Sequence, residues 1–126
     1  MSKNTITTEK APGAIGPYSQ AVETGGFIFT SGQLGIDPVT GEFGATVEEQ
    51  TRLSLENVKA ILEAAGAGLN QVVKTTVFLK DMNDFVRVNE VYSSFFEQPY
   101  PARSAVEVAR LPKDALVEIE TIVVKG

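Results

Sequence analysis

The chain of 126 residues contains no cysteine, no histidine and no tryptophan. Without cysteine there are no disulfides, no thiolate metal sites and no cysteine nucleophile. Without histidine the commonest general base and the commonest metal ligand are missing, so zinc sites of the usual N/S type and any Ser-His triad are excluded. Basic residues are also in deficit. Lys and Arg number 11 against 16 Asp and Glu, a net charge of -5, whereas nucleic acid and anionic membrane both demand clustered cations. No apolar run approaches the length of a bilayer span, and the leading MSKNTITTEK lacks the apolar core of a signal peptide. The expectation is a soluble, cytoplasmic protein that uses no cofactor, binds neither nucleic acid nor membrane, and forms a single domain over residues 1–126 able to bury its own core.

The regular elements are readable in order. NTITT is a short strand candidate, and EKAPGAIGP is too rich in Pro and Gly to be regular. In YSQAVETGGFIFTSGQL, Gly25 and Gly26 lie between two alternating runs, the mark of a two-residue hairpin. The second arm ends in Thr30, Ser31, Gly32 and Gln33, where Gly32 suits either a bulge or close backbone approach to a ligand. GIDPVTGEFGA carries turn signals at Asp37-Pro38 and Thr40-Gly41. Thr46 followed by Glu49 makes a capping box, after which Leu55, Val58, Ile61, Leu62 and Ala65 fall on one helical face and Gly66 stops the helix. QVVKTTVFLK alternates and predicts a strand with Val73, Thr75, Val77 and Leu79 facing inward. With Asp81 or Asn83 as cap, Phe85, Val88, Val91, Tyr92, Phe95 and Phe96 mark a second helix ending before Pro99.

The last quarter, PYPARSAVEVARLPKDALVEIETIVVKG, holds two strands separated by a turn at Pro112 and Asp114. Residues two apart share a strand face. Arg103, Ala105 and Glu107 therefore lie together, and Leu116, Glu118, Glu120 and Ile122 lie opposite Val117, Ile119, Thr121 and Val123. Carboxylates set between Leu116 and Ile122 imply a face covered by another subunit or a ligand. The element order predicts an α+β fold, a single sheet with both helices on one face. That arrangement leaves the other face bare and apolar, and the simplest cover is a second copy of the chain.

GPYSQAV, SGQ, the helix ending in EAAGA, VVKTTVFLKDMNDFVRVNEVY and above all PARSAVEVARLPKDALVEIE resemble the reactive intermediate deaminase, or Rid, family over essentially the whole chain. The resemblance implies a chorismate-mutase-like fold with one mixed sheet, a homotrimer with clefts between subunits, and hydrolysis of 2-imino acids, tautomers of enamines, to a 2-keto acid and ammonia. It carries the carboxylate-binding arginine to Arg103 and the water-positioning glutamate to Glu118. Tyr18 of GPY, Ser31, Gly32 and Gln33 of SGQ, Asn89 before VY, and Ala105 complete the substrate-binding set it implies. Ala105 stands where many members have cysteine, so a mechanism needing that thiol is not open to this chain. Gly35 stands where proline is frequent, read as a loop change.

The chemistry follows from the residues as well. A 2-imino acid has a carboxylate beside a C=N bond that is protonated, and so electrophilic, near neutral pH. Arg103 can grip the carboxylate through two parallel N–H···O bonds while Glu118 beside it holds a water and takes its proton. Each residue has a plainer reading: Arg103 as an interface ion pair, Glu118 as a solvated strand residue, Tyr18 as a loop anchor, Ser31 as a turn hydroxyl, and Asn89 as the partner of a backbone carbonyl. Arg110 and Lys113 read as turn charges. Parity alone does not separate Glu118 from Glu120. Two other functions fit the same fold: a non-catalytic trimer that senses or carries small carboxylates, and a chorismate-mutase-type enzyme. The latter needs several cations around a dicarboxylate, and the chain has only four arginines.

Overall fold

The computed structural model describes residues 2–126. Seven strands form one sheet: β1 (Asn4–Ile6), β2 (Ala21–Thr24), β3 (Phe27–Thr30), β4 (Gln33–Leu34), β5 (Val72–Leu79), β6 (Ala102–Glu107) and β7 (Val117–Val124). Their spatial order is β1-β2-β3-β7-β5-β6, and β4 also pairs with β7. Only β5 and β6 run parallel, because the chain between them crosses over through a helix, as parallel neighbours require. The helices are α1 (Val47–Ala64) and α2 (Phe85–Ser93). The expected α+β fold, one mixed sheet with two helices on one face, is what forms. Among the described residues no helix is long and apolar enough to cross a membrane.

Local chemistry accounts for the element ends. Gly25 and Gly26 have φ of 56° and 83°, the left-handed pair that a twisted two-residue hairpin requires. Thr46 caps α1 by accepting the Glu49 N–H at 3.1 Å. The reciprocal bond of a capping box does not form among the described residues, and Glu49 is exposed to water instead. At the far end the Gly66 N–H donates to Glu63 O at 3.0 Å and the Ala67 N–H to Leu62 O at 2.8 Å, with Gly66 at φ 77°. Those paired bonds close the helix in a Schellman turn. Asp81 caps a 3-10 turn (Met82–Asp84) that leads into α2 rather than α2 itself, and α2 stops at Ser93, short of the buried Phe96.

The core lies between the sheet and the helices. Leu55, Val58, Ile61 and Leu62 of α1 are fully buried against Ile28, Val77, Leu79, Val117, Ile119 and Val123, each contributing about 1.5–3 kcal/mol. Thr75, Val77 and Leu79 point inward as expected. Val73 does not: it is 44% exposed while Val72 is buried. The register between β5 and β7 slips between Val72 and Lys74, and this bulge turns Val73 outward.

A second slip separates β3 from β4. Phe29 pairs with Ile122 but Gln33 with Ile119, one residue out of step. The sequence predicts one strand arm here, and the structure divides it. Thr30 fills the break: its hydroxyl accepts the Thr121 N–H at 3.0 Å. Three polar side chains of α1 hold the irregular segment that follows. Ser54 donates to Gln33 O at 2.7 Å, Asn57 donates to Ile36 O at 2.8 Å, and Gln50 donates to Gly44 O at 3.2 Å while accepting the Leu116 N–H that leads into β7 at 2.9 Å. Gly35 is pressed against the Gln50 backbone, where any Cβ would collide. It is thus a close-packing position and not merely a variable loop residue.

Candidate functional site

Glu118 sits on β7 beside β4, paired across the ladder with Leu34. The slip in register brings Gly32 directly beneath its side chain, so a Cβ there would stand 2.5 Å from Glu118 Oε2. Glycine is what permits the carboxylate this position. Glu118, Gly32, Ser31, Gln33 and Tyr18 all line one cleft of about 610 Å³ between the N-terminal loop, β4 and the 3-10 turn (Pro112–Asp114). The Ser31 hydroxyl is committed to Ser19 O at 2.6 Å, and Gln33 is 5% exposed. Tyr18 is open to solvent. Partial burial, and then the nearby negative charge of Glu120, push the Glu118 carboxyl above the usual glutamate range. Glu120 is exposed and does not line the cleft, so geometry separates the pair that strand parity could not.

Arg103 lies elsewhere. In the ladder it pairs with Thr75, and Thr75 pairs with Thr121; these residues share the helix-covered face. Glu118 pairs with Phe78, whose neighbour on β6 is Val106, on the opposite face. The two candidate residues of one chain are therefore on opposite sides of its sheet. Arg103 Nη1 donates to Asn89 Oδ1 at 2.7 Å. Its guanidinium carbon stands 5.2 Å from the Phe85 ring centroid and 4.8 Å from that of Tyr92, within cation–π range of both. Tyr92 is itself fixed by a 2.8 Å bond between its hydroxyl and Thr75 Oγ1. No described carboxylate forms a salt bridge with Arg103. Its other N–H donors have no hydrogen-bond partner among the described residues, so the guanidinium is backed by two rings and left without an anion of its own. Ala105, half-buried, follows on the same face of β6.

The sequence-derived residues thus separate into two groups. Tyr18, Ser31, Gly32, Gln33 and Glu118 meet in the cleft; Arg103, Asn89 and Ala105 meet at the seam of α2 and β6. From the sequence, Phe85 and Tyr92 are members of the apolar stripe of the second helix and nothing more. Their spacing from Asn89, four before and three after, places all three on one helical face, which was the available signal. Lys113, read as a turn charge, also lines the cleft. Among the described residues no group of His, Cys, Asp and Glu is arranged to hold a metal ion.

A family model described as Endoribonuclease L-PSP matches residues 8–125. A RutC family protein of Pyrococcus abyssi is 60% identical over 126 residues, 99% of each chain. The 2-iminobutanoate/2-iminopropanoate deaminase of Escherichia coli K12 is 59% identical over 128 residues, again 99% of each chain. Among solved structures, that of E. coli TdcF with bound serine superposes with a TM-score of 0.93 at 55% identity, covering 98% of this chain and 99% of that one.

Proposed function

The chain belongs to the Endoribonuclease L-PSP family, and from that premise we propose that it is a hydrolytic deaminase of small 2-imino acids such as 2-iminobutanoate and 2-iminopropanoate. The observation that carries the reading is Arg103: a guanidinium oriented by Asn89 and two aromatic rings, with no carboxylate among the described residues to neutralise it. It is shaped to receive one from a ligand. A relative at 59% identity bears the name of this activity. The chain's charge of -5 and the two acidic residues of the cleft, Asp37 and Glu118, disfavour an RNA substrate despite the family's description.

Because Arg103 and Glu118 lie on opposite faces, a substrate of a few carbon atoms meets both only between two chains. The uncovered face supports such an assembly. Phe27, Phe29, Val106 and Val124 are each 40% exposed or more, and Phe27 and Phe29 lie with ring centroids 6.2 Å apart. An interface that joins the cleft of one chain to the seam of the next is heterologous, and such an interface builds a ring where its rotation closes. A homotrimer is the ring proposed.

At that junction Arg103 of one chain binds the carboxylate and fixes the adjacent iminium carbon. Tyr18 and the Ser31–Gln33 segment of the other wall the cleft beside Glu118. Glu118 accepts a proton from water as its oxygen attacks that carbon, giving a carbinolamine. That proton then passes to the nitrogen; as the C–N bond breaks, Glu118 takes the proton of the hydroxyl and returns it to the departing ammonia, so that 2-keto acid and ammonium leave. Positioning plus one base of raised pKa is enough for so reactive a substrate, and neither Ala105 nor any thiol takes part.

The test uses wild type, Arg103→Ala, Glu118→Ala and a co-refolded mixture of the two variants, with 2-keto acid release followed from freshly generated 2-iminobutanoate. Wild type is expected to accelerate release, and Arg103→Ala to lower kcat/KM on the order of a hundredfold or more. Glu118→Ala keeps 2-oxobutanoate binding but loses turnover. The equal mixture recovers about a quarter of the wild-type rate, since half the junctions have an intact arginine and half of those an intact glutamate. No acceleration by wild type overturns the activity, and no recovery in the mixture overturns the shared site.

A further inference from the structure

The turn that closes the cleft is built at a cost. Lys113 and Asp114 have φ of 55° and 58°, and they are the only non-glycine residues with positive φ among those described. Two successive side chains in the left-handed region are unfavourable for L-residues. The surroundings hold them there. Arg110 clamps Asp114 through Nε–Oδ1 at 2.7 Å and Nη2–Oδ2 at 3.2 Å. The Asp114 N–H donates to Leu111 O at 3.1 Å and the Ala115 N–H to Pro112 O at 3.1 Å. Leu111 and Ala115, at the two ends, are buried at 5% and 1% exposure.

This frame determines where each cation near the turn is used. Arg110 is consumed by Asp114, and Lys80 Nζ donates to Ala109 O at 3.1 Å. Lys113 alone is left without a hydrogen bond or ion pair to any described residue, and it lines the cleft. The other ionisable residues whose charge bears on that space are acids, Asp37 and Glu118. An anionic substrate approaching a chain of net charge -5 meets repulsion there unless a local cation offsets it.

Resting on the reading given under Proposed function, we propose that Lys113 is a specificity-determining residue. Its ammonium draws the carboxylate of an incoming 2-imino acid past Asp37 and Glu118, toward Arg103 of the adjoining chain, and so selects anionic imines over neutral ones. The strained turn is what aims it.

The experiment compares wild type with Lys113→Gln, Lys113→Arg and Lys113→Asn. The asparagine variant tolerates left-handed backbone, so it removes the charge without loading the turn. At about 20 mM salt, Lys113→Gln and Lys113→Asn are expected to raise KM for 2-iminobutanoate roughly three- to tenfold with kcat retained, and Lys113→Arg to restore it. At about 500 mM salt the difference shrinks, because the ions screen an exposed charge. Calorimetric titration with 2-oxobutanoate and its neutral amide supplies a readout independent of turnover: both charge-removing variants weaken the carboxylate and leave the amide unchanged. Wild-type carboxylate binding in Lys113→Asn, or equal losses for carboxylate and amide, overturns the proposal. Because this titration needs no turnover, it decides the role of Lys113 even where wild type hydrolyses no imine, a result that counts against the deaminase reading instead.

Discussion

On one face of the sheet, Thr75, Val77 and Leu79 of β5 and Val117, Ile119, Thr121 and Val123 of β7 lie under the helices, every one of them buried. On the other face, Phe27, Phe29, Val106 and Val124 are open, with Glu118 and Glu120 among them. Polar groups on the covered side are matched within the chain: Thr30 bonds Thr121 at 2.9 Å and Thr75 bonds Tyr92 at 2.8 Å. Glu118 on the open side has no such partner among the described residues. The covered face makes the chain a folded body. The open face carries what that body leaves unfinished, and the proposed site uses the edge of the first and the cleft of the second.

The comparison can be broken most severely from the open side. Phe29→Glu places a charge at the centre of the uncovered apolar patch, where burial against another chain would be prohibitive. Sedimentation should then give the mass of one chain, with helical circular dichroism retained and turnover lost; a mass unchanged from wild type would mean that this face is not the interface. From the covered side, Leu55→Ala removes a fully buried side chain of α1 and should cost about 2–5 kcal/mol in denaturant unfolding, a loss in the chain itself. The smallest effect sharpens the contrast between neighbours. In the proposed mechanism Glu118 acts as an ionised base, so its raised pKa should make activity fall, on acidification, at a higher pH than an ordinary glutamate would. Glu120→Gln removes the lesser of the two causes, so the acid limb of kcat against pH should move to lower pH while burial keeps it above the usual range. A limb that stays in place would mean that Glu120 does not bear on the working group.

What was legible in the sequence was legible strand by strand and helix by helix. The glycine pair of the hairpin, the Thr46 cap, the Gly66 stop and the alternation along β7 are local patterns, and local sterics enforce them. The bulge that turns Val73 outward was not legible, since an uninterrupted apolar alternation gives no sign of a slip caused by the partner strand. The same holds for the break at Thr30. The relation of Arg103 to Glu118 was hidden for a further reason. Parity orders residues within a strand, but β6 and β7 are related only through β5, which lies between them, and that register comes from tertiary packing. Strand parity therefore gives no distance between Arg103 and Glu118, whereas the family resemblance, which carries long-range information, implies clefts between subunits.

The extra residue between β3 and β4 makes this margin unusually intolerant of length changes. Excising Ser31 would bring the two strands into continuous step with β7: Gln33 and Leu34 would keep Ile119 and Glu118 as partners, but the break that sets Gly32 against the Glu118 carboxylate would close. The bond from the Ser31 hydroxyl to Ser19 O, which ties this border to the N-terminal loop, would go with it. A lineage can therefore trade amino acids along this border more readily than it can gain or shed one.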